Sequence, residues 1–222
     1  MIKAVIFDLD NTVYDYDYCH NLSMIKLKDF ACQKYSISED VFEQAFSKAK
    51  RDVKNILGNT GSSHNRMLYM QLFLENININ PVEDALLLYN LYWDSMLENM
   101  VVYPYVMPLL GELKNHCIKI GVLTDLTAHI QHRKIHKLGL VNYVDAIVTS
   151  EEVGVEKPDE NAFARIQEKL GFSSDEILMI GDSLTKDVQG AENYGMNAIH
   201  FQSNNSSTMT QTVMAFINAK KS

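Results

Sequence analysis

The sequence is short of cations: 20 Lys and Arg stand against 28 Asp and Glu, a formal charge of −8 over 222 residues. A surface that binds nucleic acid leans on lysine and arginine, so this deficit argues against a nucleic-acid partner. It is also short of cysteine. Cys19, Cys32 and Cys117 are odd in number and far apart, which argues against a disulfide framework and fits reduced thiols. No apolar run approaches the ~18 residues that a membrane span needs. The N-terminus does not read as a secretory leader either, because its apolar stretch is about five residues long and runs straight into acids. The expectation is a cytoplasmic protein with no membrane partner, and the composition leaves its oligomeric state, monomer or dimer, open.

What the chain does contain is a set of short runs rich in valine and isoleucine: "KAVIFDLD", "IKIGVLTD", "DAIVTS", "EILMIGDS" and a weaker "NAIHF". Their nearly continuous apolar character suits strands buried on both faces, as in a parallel sheet covered by helices. Helical stretches alternate with them and stop at Gly139, Gly171 and Gly195. This alternation predicts an α/β fold, a doubly wound parallel sheet of Rossmann-like type. The interval 14–102 holds no comparable strand. Phe42, Ala45, Phe46, Ala49, Val53 and Ile56 recur at helical spacing, and Pro81 is placed to open a helix that runs through Trp93. The expected organisation is a sheet domain of residues 1–13 and 103–222 with a helical insertion at 14–102. "GNTGSSHN" (58–65) reads as a turn within the insertion, and the polar "QSNNSST" (202–208) as a linker to a short terminal helix around Val213, Phe216 and Ile217.

In open α/β sheets, ligands bind outside the carboxyl ends of the strands. Here those ends carry Asp8 and Asp10, then Thr124 and Asp125, then Lys157 in the loop after the third strand, then Asp182 with Asp187. Acids are common in such loops as plain turn formers, so any one of these is ambiguous alone. Together, in order, they describe a site. Crowded carboxylates repel unless a cation or donors compensate. A hard ion such as Mg²⁺ takes one or two carboxylates plus phosphate oxygens, which makes Asp8 and Asp182 plausible anchors. Thr124 and Lys157 would share the charge of a bound phosphate.

On these residues the sequence resembles the haloacid dehalogenase-like hydrolase superfamily. "DLDNT", "LTD", "KP" and "GDSLTKD" match its four motifs in order, and the insertion matches the subclass with a helical C1 cap. The resemblance implies that Asp8 is the nucleophile and Asp10 the general acid and base. It also implies that Mg²⁺ is held by the Asp8 carboxylate, the Asp10 main-chain carbonyl and Asp182. Thr124 and Lys157 match phosphate-binding positions, and Asp187 the acid behind the lysine. Family dehalogenases attack carbon and lack an acid at the position of Asp10, so its presence points to phosphoryl transfer from a small phosphorylated metabolite. Many relatives carry Asn where this chain has Asp125. The expectation is that Asp125 offers its backbone N–H to substrate while its carboxylate turns away to a helix N-terminus or solvent.

Other features invite weaker readings. His129, His132 and His136 share a helix face that reads as solvated, given Arg133, Lys134 and Lys137 beside them. "VYDYDYCH" reads as a polar linker into the insertion. His20, within it, lies near the position of a hinge histidine in similar phosphomutases, which keeps a sugar phosphomutase as an alternative. His64, Asn65 and Arg66 either touch substrate or, in the plainer reading, lie on the surface. Tyr89, Tyr92 and Trp93 read as core of the insertion. A third possibility is a non-catalytic phosphate-binding or signalling module, against which Asp10 and the large insertion both weigh.

Overall fold

The computed structural model describes every residue except Asn59, Lys221 and Ser222, and every side chain but those of Asn204 and Asn205 besides. Asn59 in the turn expected at 58–65, and the side chains of Asn204 and Asn205 in the linker expected at 202–208, therefore lie outside the described residues. The chain divides into two compact units, Met1–Asp15 with Val101–Ser222, and Tyr16–Met100.

The first unit begins with β1 (Ala4–Phe7), four apolar residues that are all buried. The second unit follows as α1 (Tyr16–Tyr35), α2 (Glu39–Leu57), α3 (Arg66–Asn76) and α4 (Pro81–Asn99). The chain then returns through α5 (Val106–Asn115), β2 (Lys119–Thr124), α6 (Ala128–Lys137), β3 (Ala146–Thr149), α7 (Ser150–Val153), α8 (Glu160–Leu170), β4 (Ile177–Gly181), α9 (Gly190–Asn193), β5 (Asn197–His200) and α10 (Met209–Ala219). The five strands form one parallel sheet in the order β3-β2-β1-β4-β5. Flanked by helices, this is the doubly wound α/β architecture expected from the alternating pattern.

Ile6, Leu123, Val148 and Met179 from four strands pack with Phe163 and Ile166 of α8 in one buried cluster. β1 lies at the centre between β2 and β4, so the residues that follow these three strands emerge side by side. Tyr14 and Val102 form an isolated antiparallel bridge, and the Tyr103 N–H donates to the Val13 carbonyl at 2.8 Å. The ends of the insertion are thereby tied together, and residues 14, 15, 101 and 102 group with the sheet.

In the helical unit α1 packs on α4 and α3 on both α2 and α4. Phe42 and Phe46 meet Phe73 edge to face at ring distances of 5.1 and 6.0 Å, a geometry that adds to what burial alone contributes. Asn80 caps the Val82 N–H ahead of Pro81, as the sequence leads one to expect of a helix start.

Three expectations need correction. The buried row of α2 ends at Val53, and Ile56, in the last turn, is 75% exposed. "VYDYDYCH" is not a linker past its first residues, because α1 already begins at Tyr16 with Asp17 favouring its N-terminal dipole. The stretch before Gly195 is not a regular α-helix: Leu184–Gln189 is wound as a π-helical segment, a wider turn often found at functional sites.

Candidate active site

Asp8 follows β1 directly, and its backbone N–H donates to the Ile180 carbonyl of β4 at 2.9 Å, which fixes the first loop against the fourth strand. Asp182 follows β4. Carboxylate oxygens of Asp8, Asp182 and Asp187 all lie within 4.8 Å of one another, so the acids of the first and fourth strand ends meet. Lys157 joins two of them: its Nζ donates to Asp8 Oδ1 at 2.6 Å, to Asp187 Oδ1 at 2.7 Å and to the Leu123 carbonyl at 3.1 Å. Buried, the ammonium is disfavoured by desolvation. Asp187 and Asp8 more than offset this and hold its pKa above the ordinary lysine value.

Asp187 is placed by sequence-local geometry. Its other oxygen accepts from the Ser183 N–H at 3.0 Å. A Cβ at position 181 would overlap the Asp187 side chain, so the glycine of "GDS" makes room for that carboxylate.

The Asp10 carboxylate is held apart from this trio. Lys134 Nζ donates to both of its oxygens, at 2.7 and 2.8 Å, and the Tyr14 hydroxyl donates to Oδ1 at 2.6 Å. Lys134 is wholly buried. Grouping it with the solvated histidine face therefore needs correction: His129, His132 and His136 are exposed, whereas Ile130, Gln131, Lys134 and Ile135 form the inward face of α6. The signal was present, since two polar residues three apart interrupt an apolar row at core spacing.

Thr124 is buried at the end of β2, and its hydroxyl accepts from Gln131 Nε2 at 2.7 Å. The Asp125 carboxylate turns neither to a helix N-terminus nor to solvent. Oδ1 accepts from the Lys157 backbone N–H at 3.2 Å and Oδ2 pairs with Lys186 Nζ at 2.9 Å, a cation also 3.1 Å from Glu156. Sequence reasoning quoted Lys186 within its motif and assigned it nothing, yet it supplies the charge that balances Asp125. Leu126 has φ of 91°, a conformation strained for a branched side chain, in the loop that carries these groups.

The electrostatics are unbalanced. Burial pushes the Asp8 carboxyl well above its usual value, against the pull of Lys157, and Asp187 and Asp10 add to the rise. Asp182 is raised too, by burial and then by Asp187. Three converging acids, two of them bonded to one lysine and all offering only oxygen, form a donor set that a hard divalent cation would complete. Among the described residues no histidine or cysteine joins the cluster, which disfavours zinc.

His20 and Arg66 belong to the helical unit. His20 Nδ1 lies 2.7 Å from the Tyr92 hydroxyl, and its ring stacks on Tyr16. Arg66 is buried, which overturns its surface placement. It donates to the His64 carbonyl at 2.8 Å and to the Tyr16 hydroxyl at 2.7 Å. Its place in α3 shares the row of Tyr69 and Phe73, a spacing that foretold an inward side chain. Tyr92 and Trp93 are buried as expected, and Tyr89 is half-buried.

Residues 2–195 match the family model described as haloacid dehalogenase-like hydrolase. The chain is 36% identical over 214 residues to a ribulose-1,5-bisphosphate 5-phosphatase of Halopiger xanaduensis, covering 96% of this chain and 90% of the relative. It is 31% identical over 210 residues to a glyceraldehyde 3-phosphate phosphatase of Methanopyrus kandleri, covering 91% and 84%. A HAD phosphatase from Thermococcus onnurineus superposes with a TM-score of 0.72 at 27% identity, over 90% of this chain and 86% of that one. Four motifs in order, the parallel sheet that brings their acids together and these likenesses lead to one assignment: the chain belongs to the haloacid dehalogenase-like hydrolases, in their phosphatase branch.

Proposed function

We propose that this enzyme is a Mg²⁺-dependent phosphomonoesterase that acts on a small phosphorylated sugar, of the kind named for its relatives, through an aspartyl-phosphate on Asp8. The observation that carries this reading is the meeting of Asp8, Asp182 and Asp187 within 4.8 Å, with a buried lysine bonded to Asp8 and Asp187. Bound Mg²⁺, held by the carboxylates of Asp8 and Asp182 and the main-chain carbonyl of Asp10, would supply positive charge against the acids and the phosphate oxygens.

The steps of this chain's own residues follow from that. The Asp8 carboxylate attacks phosphorus, and the bond to the leaving oxygen breaks with its electron pair. Asp10, as general acid, delivers a proton to that oxygen. Asp10 then takes a proton from water as the water oxygen bonds phosphorus. The acyl phosphate bond breaks, releasing inorganic phosphate and restoring Asp8. Lys157 keeps Asp8 oriented by a 2.6 Å bond and, with Thr124, stands at the phosphate-binding positions. Lys134 and Tyr14 act as positioning residues, giving the Asp10 carboxylate a fixed anchor from which it turns to the leaving group. The helical unit, read as the cap, supplies substrate selectivity.

A panel of sugar phosphates scored for free phosphate tests the proposal. Release should require Mg²⁺, stop in EDTA and return on adding the metal back. Full activity in EDTA would remove the metal from the account, and an isomerised sugar phosphate without free phosphate would turn it to a phosphomutase.

A further inference from the structure

The helical unit contains a cavity of about 420 Å³ whose lining includes Lys50, Arg51, Lys54 and Arg66, with His20 and His64. Four cations converge here in a chain whose formal charge is −8. Lys50, Arg51 and Lys54 belong to α2, where spacings of four and three place Lys50 and Arg51 each beside Lys54 on the helix surface. Among the described residues none of these four cations lies within 4.0 Å of a carboxylate oxygen.

Arg66 makes this more than a basic surface. It is only 8% exposed, and its partners are the His64 carbonyl, the hydroxyls of Tyr16 and Tyr92, and the faces of Tyr69, Tyr92 and Trp93 at 5.1 to 5.9 Å, all of them neutral groups. Aromatic faces and neutral acceptors soften the burial of a guanidinium, but a buried charge is ordinarily paired. The positive field leaves a trace on its neighbours. His20 is pulled down to about 4 by burial, then by Arg66 and Lys50. Lys50 is lowered by desolvation and then by Arg66, with Glu43 opposing least.

We propose that this cavity is an anion-binding site for a phosphate group, with Arg66 at its floor and Lys50 and Lys54 at its rim. A planar guanidinium and two ammonium groups suit the several oxygens of a phosphate dianion, through charge-assisted bonds. The volume exceeds that of phosphate alone and leaves room for the small molecule that bears it. The site stands on the helical unit by itself and does not require the mechanism assigned to Asp8. Its phosphate has two sources, the substrate's own second phosphate or a separate phosphorylated molecule.

Trp93, the sole tryptophan of the chain, is buried with its ring 5.9 Å from the Arg66 guanidinium and reports on the site through that contact. Inorganic phosphate titrated into the full-length protein in EDTA should change Trp93 emission saturably, in the wild type and in Asp8→Asn alike. Lys50→Met/Lys54→Met, at two exposed positions, should weaken that binding at least tenfold, and Arg66→Met should abolish it where the variant folds. An emission that does not move up to tens of millimolar phosphate overturns the proposal, as does an unchanged affinity in the double lysine variant. To separate the sources, the wild type and the double variant are compared on a sugar bisphosphate and the matching monophosphate. A second phosphate of the substrate predicts that the bisphosphate-to-monophosphate ratio of kcat/KM falls at least tenfold in the variant. A separate ligand predicts that the ratio holds while the Trp93 titration is still weakened.

Discussion

The two units of this protein solve opposite electrostatic problems. In the sheet unit, three carboxylates converge and one lysine bonds two of them, and burial raises Asp8 and Asp182 above their usual range. In the helical unit, four cations line a cavity with no carboxylate at ion-pairing distance among the described residues, and His20 and Lys50 are lowered. Each region is costly as it stands and each would be relieved by a ligand of the other sign, a metal in the first and a phosphate in the second. Crowding of like charge is thus a signal of binding when it recurs at a concave or converging site, whichever the sign.

The largest effect should come from breaking the acidic side. Asp8→Asn is expected to lower kcat by about 10⁴-fold or more while circular dichroism and the Trp93 response to phosphate stay intact. Retained turnover would show that the two regions had been given the wrong roles.

An intermediate effect should come from the anchor of Asp10. Lys134→Met should cut kcat about 10- to 100-fold with little change in KM, because Lys134 positions Asp10 and does not touch substrate. Lys134→Arg should recover part of the loss by restoring a charge-assisted bond. A change in KM alone would instead mark Lys134 as a substrate contact.

The smallest effect tests the basic side through stability. The folded-state pKa of His20 lies near 4, below the 6.5 of an ordinary histidine, so the unfolded chain takes up the proton first as pH falls. Its contribution is fully present above about pH 6.5 and is lost progressively down to about pH 4. Thermal melts across that window should therefore decline more steeply for the wild type than for His20→Gln, and parallel curves would contradict the buried, repelled histidine. Groups common to both proteins cancel in the difference. Added phosphate should flatten the wild-type curve by offsetting Arg66 and Lys50.

Most of the sheet unit was legible because its information is local. "AVIF" and "ILMIG" read as buried strands on composition alone, and their alternation with helices reads as a doubly wound parallel sheet, while the strand order β3-β2-β1-β4-β5 is seen only in the structure. Asp8, Asp182 and Lys157 could be placed together because parallel strands deliver their ends to one edge. What escaped depends on partners distant in sequence. Lys134 lies 124 positions from Asp10, and Lys186 lies 61 from Asp125. Charge suggested solvent for Lys134 and a surface for Arg66, while helical spacing placed both inward. Where composition and periodicity disagreed, periodicity was right, since a paired or aromatic-lined pocket can hold a charge that composition assigns to water.

The most direct measurement is chemical trapping of Asp8 during turnover. Wild-type protein quenched in the steady state with Mg²⁺ and a sugar phosphate, then reduced with borohydride, should yield homoserine at position 8 in the N-terminal peptide by mass spectrometry, and Asp8→Asn should yield none. Brisk phosphate release under conditions that trap a control acyl phosphate, with position 8 unmodified, would contradict the covalent role of Asp8.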